Sequence, residues 1–394
     1  MKGVFIGLFK YHVVPVLIAV VLTIATFFAY KALKPTSSAF KTEIIAGNQE
    51  ASRNYFSNCV AGNQSELELA GALKNPQTIT LFGSSEIGEM RYSPYFFLPD
   101  SLGIPTVAFG HAFQQHFSMF CELLAMQKEL NGSKICIIIS PSWFETEGTN
   151  IEAFLEFVRP NFLKSIVHNP SIPMQYKQEI GRYVSEHYKD IEHPAAFLTY
   201  FKKLHQFKNV PVLNTEMENS KRGITRVVYD VKTKPVVLPK KQSFDWDERS
   251  KVLQKQFVDS IRSNQIYVND AYYLEYLFKD KHYKKGSIDP IPDATDCREF
   301  QDFLLLVDVL KRYNCDASFV IQPLHPYHYE GLDKLAPIVE DVTKVLQKNN
   351  FPYLNLFVTD PHKYEPGTLN DIMHLGDYGW MQINRFLYTN YARK

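Results

Sequence analysis

Four short apolar runs, each ending at a turn former, restrict this chain more than any other feature. Thr78–Phe82 stops at Gly83, Thr106–Phe109 at Gly110, Lys134–Ile139 at Ser140-Pro141, and Ala317–Ile321 just ahead of Pro323. Runs of this length, rich in β-branched residues, are the pattern of strands covered on both faces. A fifth strand is read at Tyr353–Phe357. Helical spacing fills the intervals. Over Phe113–Leu130, residues Phe113, Phe117, Phe120, Cys121 and Leu124 keep one face until Asn131-Gly132 ends it. Further helices are predicted at Phe300–Asn314, Leu332–Lys348 and Tyr378–Tyr388. Strands alternating with crossover helices imply an α/β fold with a doubly wound, mostly parallel sheet. Ligands bind outside the carboxyl ends of such strands. The turns Gly83-Ser84-Ser85, Gly110-His111, Ser140-Pro141-Ser142 and Gln322-Pro323-Leu324-His325 therefore belong on one rim.

From about Glu145 to Glu299 the pattern changes. Helical periods at Ile151–Leu163, Pro173–Glu186, Ala195–Phe207 and Lys251–Asn264 alternate with Pro- and Lys-containing loops. This is read as a helical insertion over about 145–299. At the other extreme, Tyr11–Tyr30 carries no charge and lies between Lys10 and Lys31. A bilayer-spanning helix needs about twenty apolar residues. No A-x-A-like cleavage site follows, so residues 1–34 are expected to form one N-terminal transmembrane helix with its flanks. Pro35–Phe40 then reads as a linker, and 35–394 as a domain outside the cytoplasm. Lysines flank the run on both sides, so the orientation rests on the short leading tail rather than on charge bias.

With a net charge of +1 and 22% charged residues, the chain has no field that would draw it to nucleic acid. Its five cysteines show neither CxxC spacing nor pairing with His at zinc distances, and no motif calls for a metal or cofactor. Cys121 and Cys136 sit in apolar patterns and read as buried. One bridge among Cys59, Cys297 and Cys315 is left open.

The chemistry-bearing residues are Ser84 and Ser85, directly after the first strand, and the pair Asp371 and His374 ahead of the last helix. A serine hydroxyl is a poor nucleophile until a base takes its proton, and a carboxylate that fixes the tautomer makes histidine that base. By itself a Gly-Ser-Ser turn is also an ordinary helix N-cap. The three residue types together point to acyl transfer through a seryl ester.

These residues resemble a known group. A Gly-x-Ser after the first strand, a Gly after the second and Asp-x-x-His before the last helix are similar to the SGNH (GDSL-like) hydrolases. The likeness is closer to one branch, the DltD family, the D-alanine transfer proteins of teichoic-acid D-alanylation. It is carried by F-G-S-S-E at Phe82–Glu86, the Gly110 to Gln115 spacing, I-S-P-S-W-F at Ile139–Phe144 and D-I-M-H-L-G-D-Y-G-W at Asp371–Trp380. The resemblance implies Ser85 as nucleophile, His374 as base and Asp371 as its orienting carboxylate. It implies backbone N–H groups of Ser85 and Gly110 as oxyanion donors. The wider pattern places an Asn where this chain has Ser140-Pro141-Ser142, so Ser142 or Gln115 is expected to substitute, and His325 to line the acyl or acceptor pocket. Implied partners are a DltB-like membrane-bound O-acyltransferase, a D-alanyl carrier protein system, the membrane and a teichoic acid acceptor. Two alternatives stay open: O-acetyl transfer to another surface polysaccharide, and a scaffold without catalysis, which the missing Asn keeps open.

Overall fold

The computed structural model describes residues 37–44 and 66–392, apart from 88–90, 111, 146, 159, 192–197, 200, 203–225, 234–243 and 279–281. Five strands form the central sheet: β1 Ile79–Gly83, β2 Thr106–Gly110, β3 Lys134–Ile139, β4 Asp316–Ile321 and β5 Tyr353–Asn355. All pair in parallel, in the order β2-β1-β3-β4-β5. In this order the chain winds outward in both directions from the boundary of β1 and β3, so the crevice of the fold opens beside the end of β1.

The sheet is covered on both sides because its strands are apolar on both faces. On β3, Ile135, Ile137 and Ile139 join one cluster while Cys136 and Ile138 join the other. Six helices bear on the argument: α1 Glu66–Lys74, α2 His116–Ala125, α3 Trp246–Ser260, α4 Arg298–Arg312, α5 Ala336–Lys348 and α6 Asp377–Leu387. Phe117, Phe120 and Leu124 of α2 and Phe303, Leu306 and Leu310 of α4 fill the first face. Trp380, Met381, Ile383 and Leu387 of α6 and Leu253 of α3 fill the second. Each fully buried Leu, Ile or Phe side chain contributes roughly 1.5–3 kcal/mol, so these two layers hold the strand ends in place.

Several elements depart from the sequence reading. The helix expected from Phe113 begins at His116, whose N–H bonds Glu299 Oε1 at 3.0 Å. Phe113 itself has φ +70 and is 73% exposed, so it belongs to the turn and not to the buried face. The segment read as one helix over 151–163 is two, Ile151–Phe157 and Pro160–His168, because Pro160 has no N–H to give to the preceding turn. The last strand stops at Asn355, where the Asn355 side chain accepts the Phe357 N–H at 2.9 Å in place of a ladder partner. The helix read from Lys251 starts at Trp246, capped by Asp245, which accepts the Glu248 N–H at 2.9 Å. The linker expected at 35–40 runs, from Ser37, into a strand Ser37–Ile44 paired in parallel with Arg226–Thr233.

The expected membrane span at Tyr11–Tyr30 lies outside the described residues, as does most of the helix expected at 195–207. Among the described residues no helix is long and apolar enough to cross a membrane. Cys297 and Cys315 are free thiols, which removes a bridge between them, and Cys59 falls outside the described residues.

Candidate active site

Two glycines shape the rim of the sheet. Gly83 and Gly110 are register partners at the ends of β1 and β2. A Cβ on Gly110 would stand 2.6 Å from the Gly83 carbonyl oxygen, so a side chain there would push the two strand ends apart. With both glycines in place the chain leaves β1 abruptly, and Ser84 is buried while Ser85 is exposed.

Opposite that turn, Leu369 and Leu375 form an antiparallel bridge. Asn370 donates its N–H to the His374 carbonyl at 2.8 Å, and Gly376 donates to Thr368 at 2.9 Å. The loop so closed carries Asp371 and His374. It is held from outside at three points. The Tyr364 hydroxyl accepts the Leu369 N–H at 3.1 Å, His325 donates its backbone N–H to the Ile372 carbonyl at 3.1 Å, and Asn269 donates to Asn370 at 2.9 Å.

Asp371 uses both carboxylate oxygens. Oδ1 accepts the N–H groups of Met373 at 2.8 Å and His374 at 2.7 Å, and Oδ2 lies 2.8 Å from His374 Nδ1. The other ring nitrogen, Nε2, lies 3.2 Å from Ser85 Oγ. Burial by itself would raise the Asp371 carboxyl, but the His374 side chain and the two backbone donors hold it below the usual carboxylate value. The Asp371 hydrogen bond raises His374 above its ordinary value, against desolvation and with help from the charges of Asp371 and Glu86. An imidazole bonded in this way presents an unprotonated Nε2 to the hydroxyl when neutral, and its cation is stabilised once it takes the proton.

The other residues expected at the site lie as follows. Gly110 is level with Gly83, and buried Gln115 is the last residue before α2. Ser142 is half-buried in a short 3₁₀ turn, with its hydroxyl 2.9 Å from that of Ser140. His325 is fully buried, its Nε2 lies 3.3 Å from the Tyr267 carbonyl, and burial pushes it down to about 4. It therefore stands behind the Asp371–His374 loop as a neutral buttress rather than at the open face where a pocket residue was expected. Among the described residues no cluster of His, Cys, Asp and Glu is placed to hold a metal. Glu86 escaped the sequence reading of the site, although it ends the F-G-S-S-E segment. It is buried, and its Oε1 accepts the Ser84 N–H at 2.6 Å. The signal was an acid one residue past an exposed serine, which a lone sequence does not separate from an ordinary turn residue.

Fold and site together define an α/β protein with a parallel five-stranded sheet and a Ser85–His374–Asp371 row at its strand ends. The family model described as DltD protein matches residues 61–392, and the chain belongs to the DltD family. It is similar to Protein DltD of Bacillus subtilis (strain 168), with 23% identity over 345 residues that cover 79% of this chain and 82% of that protein. It is likewise similar to Protein DltD of Staphylococcus aureus (strain NCTC 8325 / PS 47), with 22% identity over 281 residues and 67% of each chain covered.

Proposed function

We propose that this protein is a membrane-anchored serine acyltransferase of the SGNH type that moves D-alanyl groups onto teichoic acid. The observation that carries the reading is the unbroken hydrogen-bonded row, 3.2 Å from Ser85 Oγ to His374 Nε2 and 2.8 Å from His374 Nδ1 to Asp371 Oδ2. Membership of the DltD family supports D-alanine as the acyl group and teichoic-acid D-alanylation as the setting.

In the proposed reaction Ser85 Oγ attacks the carbonyl carbon of a D-alanyl donor while its proton passes to His374 Nε2. The tetrahedral oxyanion is held by the backbone N–H groups of Ser85 and Gly110, each such donor being worth ~3 kcal/mol of barrier. Collapse breaks the bond to the donor's leaving group, which leaves with the proton from His374. A polyol hydroxyl of the acceptor then attacks the seryl ester, His374 takes its proton, and Ser85 Oγ receives that proton as the D-alanyl ester departs. Ser85 is exposed and the His374 side chain is 38% exposed, which suits an acceptor that is part of a long polymer.

The uncharged Tyr11–Tyr30 run supports a single-pass anchor with the domain outside the cytoplasm. Partners in this reading are a DltB-like membrane-bound O-acyltransferase and a D-alanyl carrier protein system that supply the acyl group. One observation favours a second reading, a scaffold for that acyltransferase: Ser140-Pro141-Ser142 stands where the wider SGNH pattern has its Asn. Trapping the Ser85 ester and weighing the adduct separates the two. An added D-alanyl mass on the peptide containing Ser85 is expected, an acetyl mass would redirect the reading to O-acetylation, and no adduct under turnover would favour the scaffold.

A further inference from the structure

The nucleophile turn holds one ionisable group to which the chemistry above gives no role. Glu86 is 3% exposed, yet its carboxylate folds back under the strand end. Its Oε1 takes the Ser84 N–H at 2.6 Å, and a Cβ on Gly83 would stand 2.5 Å from that oxygen. Gly83 is thus the space that lets the carboxylate in. Burial raises the Glu86 carboxyl to about 7, even against the pull of the Ser84 and Glu86 N–H groups and the charge of His374. The Ser84 N–H, directly before the nucleophile, is therefore turned toward this carboxylate. Burying a carboxyl is costly, and a buried carboxyl held beside a nucleophile and its base is a candidate for a functional role.

We propose that Glu86 is a positioning residue of the acyl-transfer site, clamping the Ser84 N–H so that Ser85 faces His374 and presenting a second carboxylate to the imidazolium. The inference rests on Ser85 being the nucleophile. Two carboxylates act on His374: Asp371 through a direct hydrogen bond and Glu86 through its charge. When Ser85 Oγ hands its proton to Nε2, the new positive charge is met by both. The clamp and the charge are separable, because a glutamine keeps an oxygen for the Ser84 N–H and loses only the charge.

The test uses the full chain in detergent and a fluorophosphonate probe. Ser85 Oγ attacks the phosphorus of the probe, its proton passes to His374, and fluoride leaves. Labelling rates are followed against pH for wild type, Glu86→Gln and Glu86→Ala. Glu86→Gln is expected to label several-fold more slowly than wild type at alkaline pH, where Glu86 is ionised, with the acid limb of its profile moved to lower pH because His374 has lost a neighbouring negative charge. Glu86→Ala is expected to label about ten- to a hundredfold more slowly at every pH, as a misplaced nucleophile does. Wild-type rates in Glu86→Ala, equal losses in both variants, or an unmoved acid limb in Glu86→Gln would each overturn the role. If Glu86→Ala does not fold, the acid limb of Glu86→Gln decides alone. A folded wild type that takes no label at all removes the nucleophile reading itself, and this inference with it.

Discussion

His374 and Asp371 meet twice: ring nitrogen Nδ1 to Oδ2 at 2.8 Å, and backbone N–H to Oδ1 at 2.7 Å. One carboxylate thus folds the loop and orients the base. Asp371→Asn keeps an oxygen for the two backbone donors but offers an amide to the imidazole and favours the wrong tautomer. Acyl transfer is expected to fall by a factor on the order of 10³–10⁴, while thermal stability barely moves. His374→Ala is expected to lose nearly all transfer. Normal surface ester levels in both variants, at normal protein abundance, would rule out catalysis here.

The raised His374 value sets the acid limb of activity. The base works when neutral, so activity is expected to fade as pH falls through a midpoint above the ordinary 6.5. In Asp371→Asn that midpoint should drop, because the leading cause of the rise is the Asp371 hydrogen bond. A pH-rate profile on both proteins checks it, and coincident acid limbs would refute it.

Stability should depend on pH in the opposite sense to simple acid denaturation over one window. The folded value of Glu86 lies near 7 against an ordinary 4.5, so its stabilising contribution is complete below 4.5 and is lost as pH rises through 7. The loss is on the order of 3 kcal/mol, and Glu86→Gln should lessen the slope, leaving the part due to His374, whose raised value also stabilises at low pH. Asp371 acts the other way, its contribution being present above its ordinary 3.8 and lost as pH falls through its lower folded value. Denaturant unfolding between pH 4.5 and 8 reads the slope directly.

Gly110→Ala should disturb the site more than its one added methyl suggests. The new Cβ would meet a backbone oxygen, which cannot swing aside as a flexible side chain can. A destabilisation of roughly 1–3 kcal/mol is expected, with a larger proportional loss of labelling at Ser85. An unchanged melting temperature would show that the strand ends yield easily.

Phe113→Gly should leave stability within about 1 kcal/mol of wild type, since the exposed ring gives little burial energy and glycine accepts the left-handed backbone freely. Thermal unfolding checks this. A larger loss would mean that the ring is packed.

Deleting residues 1–30 is expected to release the domain from membranes in soluble, folded form. Finding a mature N-terminus beyond Ala32 in membranes would contradict retention of the anchor.

Much of this protein was legible in its sequence because the deciding interactions are local. Strands β1 to β4 follow from apolar runs that end at Gly, at Ser-Pro or just ahead of a Pro, and residues 371–374 follow from an Asp–His spacing that a single turn can close. Helix starts were less legible. His116 begins α2 through a bond to Glu299, far along the chain, and no periodicity reports such a partner. Phe113 fitted the helical stripe by type, yet its left-handed backbone sets it in the turn before α2 with the ring exposed. His325 lies in the loop just past β4, as sequence reasoning placed it, but only packing decided that it is buried behind the 371–374 loop. The meeting of His374 with Ser85 depends on the turn after β1 and the 371–374 loop coming together at the sheet edge. Spacing in sequence sets which groups can share a turn, whereas burial and charge at a site where distant segments meet depend on the whole fold.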